Sequence, residues 1–239
     1  MTDSSPPSQS AGAPRLLLAS ASPRRRELLG LLGVRFTVVT SRFNEERLKE
    51  TVSDPVEYVR QAAEGKARDV AARRAGVVLG VDTDVVLADG TILGKPADQD
   101  DAFATLRRLS GVTHSVYSGV ALLAADGTGE AGVSRSEVRV VETKVTFAEL
   151  SDEAIYAYIA TREPFDKAGA YAIQGRAMPF VSRIDGDVSN VIGLPLWTVG
   201  DAGGLRRPAL ALRGINTSGA REPRPGRYLP TCPSSSFPA

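Results

Sequence analysis

Ser20–Arg26, with the sequence SASPRRR, places two serines and three arginines between a predicted strand and a predicted helix. A helix N-terminus offers free N–H groups and the positive end of the helix dipole, and guanidinium groups donate paired hydrogen bonds to phosphate. The segment therefore predicts a phosphate-binding turn. A capped surface helix with solvated arginines explains the same residues equally well.

Asp82 and Thr83 follow the apolar run Val77–Val81, which predicts a buried strand. In open α/β sheets, ligands bind outside the carboxyl ends of the strands. A carboxylate at such a position can hold Mg²⁺ or accept a proton from water. We favour this functional interpretation of Asp82 over a capping turn, because Asp84 already supplies a second acid for a turn.

Two lysines add positive charge to the candidate residues. Lys66 falls on the apolar stripe of a predicted helix, so its ammonium group either reaches the helix rim or points into a polar cleft. Lys95 stands in a stiff Gly-Lys-Pro turn, where it can contact a phosphate. The surrounding GTILGKP segment is not a P-loop, because it has too few residues between its glycines and Pro96 replaces the Ser or Thr.

The loop 166–175, DKAGAYAIQG, surrounds Gln174 with small residues. An amide carries both a donor and an acceptor, so Gln174 could recognise the edge of a nucleobase. A structural loop with an internal Asp166–Lys167 pair is the alternative, and the residues alone favour neither. His114 follows a Ser-Gly turn, and we predict a structural hydrogen bond for it rather than a catalytic role.

The composition limits which other chemistries and partners the chain can have. Lys and Arg total 29 against 28 acidic residues, which argues against a nucleic-acid polymer or a membrane surface as the partner. Cys232 is the only cysteine and His114 the only histidine, which excludes an intrachain disulfide and a Cys/His zinc cluster. A Ser-His triad could be built only around His114.

The elements that must position these side chains alternate between strand and helix patterns, which predicts an α/β fold with a mixed sheet. Strands are expected at 15–20, 34–39, 77–81, 116–124, 137–147 and 178–184, with a hairpin over 85–93. Helices are expected at 24–32, 54–75, 98–110 and 151–160, and a last element opens at 190–197.

The chain divides into three parts by composition. Residues 1–14 are interpreted as a disordered leader without the features of a secretory signal. Residues 15–200 form the predicted domain, and residues 201–239 form a disordered tail rich in Pro, Gly and Arg. No apolar run approaches the ~20 residues that a membrane helix needs. We therefore expect a soluble, cytoplasmic protein.

A set of segments in a fixed order resembles the Maf family of nucleoside triphosphate pyrophosphatases. The segments are LLLASASPRRRELL from Leu16, EGKA from Glu64, GVDTDVV from Gly80, ILGKP from Ile92, LRRLSGVTHSVYSGVAL from Leu106, EPFDKAGAYAIQG from Glu163 and NVIGLPL from Asn190. The resemblance covers 16–196, and the number of motifs makes it specific. DKAGAYAIQG is similar to the loop of the branch that hydrolyses dTTP and UTP, which includes a domain fused to an acetylserotonin methyltransferase-like domain.

The resemblance implies a Maf-like (anticodon/ITPase-like) α/β fold: an elongated, two-lobed mixed sheet flanked by helices, with a central cleft, often in a homodimer. It also implies a house-cleaning hydrolase of nucleotide metabolism. Such an enzyme would convert dTTP, UTP and modified pyrimidine nucleotides to the monophosphate and pyrophosphate. Its cofactor would be a divalent metal cation, Mg²⁺ or Mn²⁺.

Roles for individual residues also follow from the resemblance. Asp82 would be the catalytic proton acceptor, with Lys66 and Lys95 as catalytic residues that bind phosphates, and Glu45 would join Asp82 at the metal. The substrate-binding residues would be Ser22, Arg24, Arg25, Thr83 and Gln174. Of these, Arg24, Thr83 and Gln174 match the specificity positions, and Arg25 matches a phosphate ligand.

Two departures from the family pattern bear on catalysis. Asp84 stands next to the catalytic segment at a position that is usually apolar, where it could perturb Asp82 electrostatically. After Leu196 the family continues into a terminal helix, whereas this chain reaches its Pro- and Gly-rich residues. The alternative to an enzyme is therefore a catalytically weak nucleotide-binding module with a regulatory or interaction role.

Overall fold

The computed structural model describes residues 16–202, so the predicted leader and the residues after Ala202 lie outside the described part. The strands are β1 (Leu16–Leu18), β2 (Phe36–Val38), β3 (Ala75–Val86), β4 (Ile92–Leu93), β5 (Thr113–Asp126), β6 (Val133–Phe147) and β7 (Val181–Asp185). The helices are α1 (Pro23–Leu31), α2 (Glu45–Lys49), α3 (Pro55–Ala71), α4 (Gln99–Leu109), α5 (Asp152–Ala160), α6 (Val188–Ile192) and α7 (Leu196–Ala202). Within 16–202, none of the helices has the length and apolar character that a bilayer crossing requires.

The strands form a seven-stranded sheet in the order β2-β1-β3-β5-β6-β7, with β4 paired to β3 beside this path. β1 runs parallel to β2 and to β3, and the other pairs are antiparallel. Parallel neighbours need a crossover, and α1 supplies one while α2 and α3 supply the other. The predicted α/β fold with a mixed sheet is confirmed.

Short polar side chains start the main helices where the sequence predicts them. Ser22, Asp54, Asp98 and Ser151 each accept a hydrogen bond from a backbone N–H in the first turn. Each cap satisfies a donor that the helix itself leaves unpaired. Pro23 occupies the first helical position, where proline sacrifices no hydrogen bond.

β3 is longer than the sequence predicted. We expected the strand to end at Val81, with Asp82 and Thr83 beyond it, but it continues to Val86 and pairs with β5 along its whole length. The polar residues 82–84 stay in the strand because their backbone groups remain in the ladder with β5 and the side chain of Val85 is buried after them. Asp82 therefore lies inside a strand and not at its end.

Two helix boundaries and one whole helix also differ from the predictions. The helix expected to reach Ala75 ends at Ala71, because β3 begins at Ala75. The short helix α2 was missed, although Asn44 caps it by accepting a hydrogen bond from a backbone N–H. A helix does follow Leu196, since α7 continues to Ala202 and includes the first two residues assigned to the tail.

Each face of β3 has its own layer of helices, because successive side chains of a strand point to opposite faces. On one face, α3 packs on even-numbered residues of β3; on the other, α1 and α7 pack on odd-numbered ones. The first core contains Val78 with Ala63, Ala67 and Val70. The second contains Leu79 and Val81 with Leu28, Leu29 and Val199.

Two glycines let α3 approach the sheet closely. A Cβ atom on Gly80 would overlap the carbonyl oxygen of Ala63, and one on Gly119 would overlap the carbonyl oxygen of Val59. Gly119 of β5 lies opposite Asp82 in the strand register. Because these two residues have no side chain, α3 lies close to the sheet. The side chains of α3 can therefore reach Asp82.

A third core lies where α4 and α5 pack against the far half of the sheet. We call this half, with its helices, the second lobe, and the half that α1, α3 and α7 cover the first lobe. His114 is buried there, with its ring edge-on to Phe147 and its Nε2 atom 2.9 Å from the Tyr171 hydroxyl. Burial lowers the pKa of His114 to about 4, so the ring is neutral at physiological pH. The structural role predicted for His114 is confirmed.

Candidate active site

A cavity opens where β3 lacks a neighbouring strand. β1 pairs with β3 up to Leu79, and β4 begins to pair with it at Val85. Between these points, no strand in residues 16–202 lies along that edge of β3, because the chain leaves β1 and turns into α1. Residues 82–84 therefore line a cavity of about 810 Å³, and their side chains face it alternately from one face of the strand and from the other.

The cavity brings together all the residues that were proposed for the site. Its lining includes Ser22, Arg24, Arg25, Glu45, Lys66, Asp82, Thr83, Lys95 and Gln174. These residues come from α1, α2, α3, β3 and three loops, which are far apart in the chain. The fold thus confirms that they share one cleft between the two lobes, whereas their individual roles stay predictions.

Lys66 is the centre of an ion-pair cluster on the α3 face of β3. Its Nζ atom lies 2.7 Å from Oδ1 of Asp82 and 2.8 Å from Oε2 of Glu45. The side chains of Lys66 and Asp82 are only 12% and 9% exposed, so their pair is shielded from water. Lys66 therefore points into the cleft and not to the helix rim. We call Glu45, Lys66, Asp82 and Asp84 the charged wall.

Asp84 adds a second aspartate to the charged wall, two residues after Asp82 and on the same face of β3. Its Oδ2 atom is buried and has no hydrogen-bond partner in the described part of the chain. Burial, and then the charge of Asp82, raises the pKa of Asp84 to about 7. A carboxylate in this position destabilises the fold unless a cation or a proton neutralises it.

The donors of the charged wall fit a hard divalent cation such as Mg²⁺ or Mn²⁺. Carboxylate oxygens are the protein ligands that such ions prefer, and Asp84 presents one oxygen without a partner among the described residues. Residues 16–202 contain no group of three or more Asp, Glu, His or Cys that could cage a metal. Mg²⁺ usually binds one or two carboxylates and takes its other ligands from water and phosphate. The wall therefore suits a cation shared with a phosphate chain.

Thr83 faces the other side of β3 and belongs to a hydrogen-bond network. Its Oγ1 atom lies 2.7 Å from Oγ of Ser118 on β5 and accepts a hydrogen bond from Nη2 of Arg25 at 3.1 Å. The Arg25 side chain also donates from Nε to the Gly193 carbonyl at 2.8 Å and from Nη1 to Oγ of Ser20 at 3.3 Å. We call Ser20, Arg25, Thr83, Ser118 and Gly193 the hydrogen-bonded wall.

The remaining predicted residues lie at the rim of the cavity. Arg24 of α1 pairs with Asp166 of the opposite loop at 3.5 Å, and Lys167 forms the internal pair with Asp166 that the sequence suggested. Gln174 and Lys95 are exposed. Among the described residues, neither of these two side chains has a hydrogen-bond or ion-pair partner, so both are available to a ligand.

Three residues at or beside the cavity were not predicted from the sequence. Ser118 reaches Thr83 only through the register of β3 and β5, for which no local signal exists. Gly193 is itself the left-handed residue (φ 119°) that ends α6, and a glycine after a short helix could have indicated this cap and its carbonyl. Tyr58 is buried beside the cavity, and burial together with the nearby carboxylates raises its pKa.

The family model described as Maf-like protein matches residues 15–202. The chain belongs to this family. A dTTP/UTP pyrophosphatase of Geobacter sp. (strain M21) is 50% identical to this Maf-like chain over 188 residues, covering 78% of the chain and 93% of that protein. A dTTP/UTP pyrophosphatase of Geobacillus sp. (strain WCH70) is 48% identical, covering 76% of the chain and 92% of that protein.

A longer human protein is also similar to this Maf-like chain. It is named probable bifunctional dTTP/UTP pyrophosphatase/methyltransferase protein and is 43% identical over 76% of the chain, which spans 30% of that protein. Among solved structures, a HAM1 protein from Coxiella burnetii aligns with a TM-score of 0.37 at 14% identity, covering 57% of this chain and 74% of that one. Family membership rests on the match over 15–202.

Proposed function

We propose that this Maf-like protein is a nucleoside triphosphate pyrophosphatase that hydrolyses dTTP, UTP and modified pyrimidine nucleotides. The observation that carries the proposal is the shielded Asp82–Lys66 pair at the edge of a cavity of about 810 Å³. A cavity of that size accommodates a nucleotide-sized ligand. Relatives named dTTP/UTP pyrophosphatase at 48–50% identity support the same reaction.

In the proposed reaction, water attacks the α-phosphorus and Asp82 accepts a proton from that water. The bond from the α-phosphorus to the oxygen that bridges it to the β-phosphorus breaks, so the monophosphate forms and pyrophosphate leaves with the bond's electron pair. The hydrogen bond of 2.7 Å from Lys66 orients the Asp82 carboxylate. A positioned carboxylate of this kind contributes about 10²–10⁴-fold to the rate.

Charge neutralisation is the second requirement, because a triphosphate carries about four negative charges. Arg25, Lys66 and Lys95 line the cavity and are our candidates for phosphate contacts. A divalent cation, when bound by one or two of the carboxylates Glu45, Asp82 and Asp84, would supply further neutralisation of the phosphate oxygens.

Base recognition is assigned to Gln174. Its amide has no partner among the described residues, and it offers a donor and an acceptor that match O4 and N3–H of thymine or uracil. Cytosine presents a donor in place of O4 and an acceptor in place of N3–H, so both contacts are reversed and the Gln174 amide would have to flip to pair with it. Leaving a polar group unpaired in a binding site is costly, which favours dTTP and UTP.

The proposal is tested by pyrophosphate release from dTTP, UTP, CTP, dATP and GTP with Mg²⁺, with Mn²⁺ and with EDTA. We expect dTTP and UTP to be hydrolysed best, with monophosphate and pyrophosphate in equal amounts and no turnover in EDTA. Nucleotide binding without hydrolysis of any of the five would instead support the alternative, a catalytically weak nucleotide-binding module. Release of orthophosphate as the first product would contradict cleavage at the α-phosphorus.

Two further expectations, the homodimer that the resemblance implies and the cytoplasmic location, stay predictions. The homodimer is tested by analytical ultracentrifugation of the purified full chain over a range of concentrations. The cytoplasmic location is tested by cell fractionation. Neither outcome changes the chemistry proposed for the cavity.

A further inference from the structure

The loop that carries Gln174 is held by hydrogen bonds on both sides of this residue. The backbone N–H of Arg176 donates to both carboxylate oxygens of Glu163, at 3.1 Å to Oε1 and at 3.2 Å to Oε2. The backbone N–H of Ala172 donates to the hydroxyl of Tyr158 at 3.2 Å, and that hydroxyl donates to Oε1 of Glu163 at 2.9 Å. The Glu163 carboxylate therefore holds the backbone directly on one side of Gln174 and through Tyr158 on the other.

Close packing leaves this carboxylate little freedom to move. Gly175, the neighbour of Gln174, lies so near Glu163 that a Cβ atom on the glycine would stand 2.1 Å from Oε1. Tyr158 is buried, and its ring packs edge-on against Phe180 in the core of the second lobe. Burial, and then the hydrogen bond to Glu163, raises the pKa of Tyr158, so its hydroxyl stays a donor at physiological pH. The network thus ties the loop to a packed part of the second lobe.

The side chain of Gln174 takes no part in this network. It is exposed, lines the cavity and has no hydrogen-bond partner among the described residues. A side chain with several rotatable bonds can be placed precisely against a ligand only if the backbone that carries it is fixed. Because the backbone contacts on both sides lead to Glu163, this acid determines the position from which the amide extends.

We propose that Glu163 is a positioning residue for base selection, which acts by holding the backbone on both sides of Gln174. The inference rests on the proposed function, in which the Gln174 amide recognises the base. Glu163 does not line the cavity, so it affects a bound nucleotide only through residues that do. A residue that merely stabilises the fold affects all nucleotides alike, whereas one that places Gln174 acts on the difference between bases.

Three variants separate the contacts of this network. Glu163→Ala removes both acceptor oxygens. Glu163→Gln keeps one, and since Oε1 by itself accepts from Tyr158 and from Arg176, glutamine can preserve both contacts without the charge. Tyr158→Phe keeps the aromatic ring and removes only the link to Ala172. Glu149→Ala is the matched control, because Glu149 is an exposed acid that does not line the cavity and whose side chain has no partner among the described residues.

The experiment measures kcat/KM for dTTP and dATP in the full chain with Mg²⁺. For Glu163→Ala we expect the dTTP-to-dATP ratio to fall about tenfold, the effect of one lost hydrogen bond to a charged group, mainly through slower hydrolysis of dTTP. The ratio should fall less in Tyr158→Phe and stay within about threefold of the parent in Glu163→Gln. Glu149→Ala should leave it unchanged. An unchanged ratio in Glu163→Ala, or an equal fall in Glu163→Gln, would overturn the proposal.

A double-mutant cycle tests whether Glu163 acts through Gln174. In the Gln174→Ala background the amide is absent, so adding Glu163→Ala should change the dTTP-to-dATP ratio less than about twofold. A fall of the same size in both backgrounds would overturn the positioning role, because the effect would then not depend on the amide. If Gln174→Ala changes the ratio and Glu163→Ala does not, the proposal for Glu163 fails and the proposed function stands.

Two further measurements keep the proposal testable if the chain lacks turnover or Glu163→Ala does not fold. Dissociation constants of the α,β-methylene analogues of dTTP and dATP, measured by calorimetry, give the same ratio without hydrolysis. If Glu163→Ala is unfolded, Tyr158→Phe decides, and an unchanged ratio in that variant would overturn the proposal. A parent chain that binds the dTTP analogue but does not hydrolyse dTTP would contradict the proposed function and leave the ratio test for Glu163 intact.

Discussion

Asp82 and Thr83 are adjacent in the chain, yet different kinds of interaction hold their side chains on the two walls of the cavity. In the charged wall, Asp82 is held by Lys66 of α3 within a shielded ion pair, with Glu45 and Asp84 nearby. In the hydrogen-bonded wall, the Thr83 hydroxyl accepts a hydrogen bond from Arg25 of α1, shares one with the Ser118 hydroxyl of β5 and donates to the Gly193 carbonyl at the end of α6. One step along a β-strand separates them, because the side chains alternate between faces.

The family resemblance gives Thr83 a specificity position, so this difference predicts that chemistry and recognition have separate supports. The height of α3 above the sheet determines where Lys66 meets Asp82, whereas α1 and the end of α6 determine how Thr83 is oriented. Changes on the α3 side should therefore lower turnover for all nucleotides. Changes on the other side should alter which base is preferred.

The largest effect is expected from Asp82→Asn in the charged wall. The substitution keeps the shape of the side chain but removes the proton acceptor, so kcat for dTTP should fall about 10²–10⁴-fold. Pyrophosphate release measures the rate, and circular dichroism melting checks that the chain remains folded. Glu46→Gln is the control, because this acid also lines the cavity but is 80% exposed and pairs with Lys49. Near-parental turnover of a folded Asp82→Asn chain would remove Asp82 from catalysis.

Gly119→Ala tests whether the height of α3 governs turnover. The new Cβ atom would overlap the Val59 carbonyl, so α3 must move away from the strand at the level of Asp82. We expect a loss of about 1–3 kcal/mol in unfolding free energy and a lower kcat, with an unchanged dTTP-to-dATP ratio. Urea denaturation measures the first quantity. Gly30→Ala, in open space on α1, should not destabilise the chain; a changed base preference in Gly119→Ala would break the separation of the walls.

Asp84→Val examines the unpaired carboxylate of the charged wall. Valine suits a β-strand and removes a buried oxygen that has no partner among the described residues. In EDTA, we expect the unfolding free energy to rise by about 1–3 kcal/mol. The increase in Tm on adding Mg²⁺ should be smaller than in the parent, because one proposed metal ligand is gone. An equal Mg²⁺ response in both proteins would exclude Asp84 as a ligand.

Gln174→Ala gives the smallest expected effect and acts on base choice. Loss of the paired amide contacts should slow the pyrimidine nucleotides by about tenfold and leave the purine nucleotides nearly unchanged. The values of kcat/KM for dTTP, UTP, CTP, dATP and GTP measure the change. If the order and the ratios of these substrates stay the same, Gln174 has no part in specificity, and the role of Asp82 is unaffected.

The helices and their caps could be predicted well because the signals are local. Ser22 accepts a hydrogen bond from a residue three positions later, and the same holds for Asp54 and Asp98. The order of the family-like sequence motifs could be recognised equally well, and these motifs contain the predicted residues that line the cavity. The length of β3 could not be predicted, because residues 82–84 are polar and remain in the strand only through their pairing with β5.

The sequence by itself determined the α/β class, the family and the residue types available for phosphate chemistry. Tertiary structure decided which of these residues touch: that Lys66 turns inward to Asp82 and Glu45, that Ser118 meets Thr83, and that the donors of Arg25 hold Ser20, Thr83 and Gly193. The reason is the range of the interactions. Caps and strand alternation depend on neighbours within a few residues, whereas the walls of the cavity depend on strand register and on close helix–sheet packing at Gly80 and Gly119.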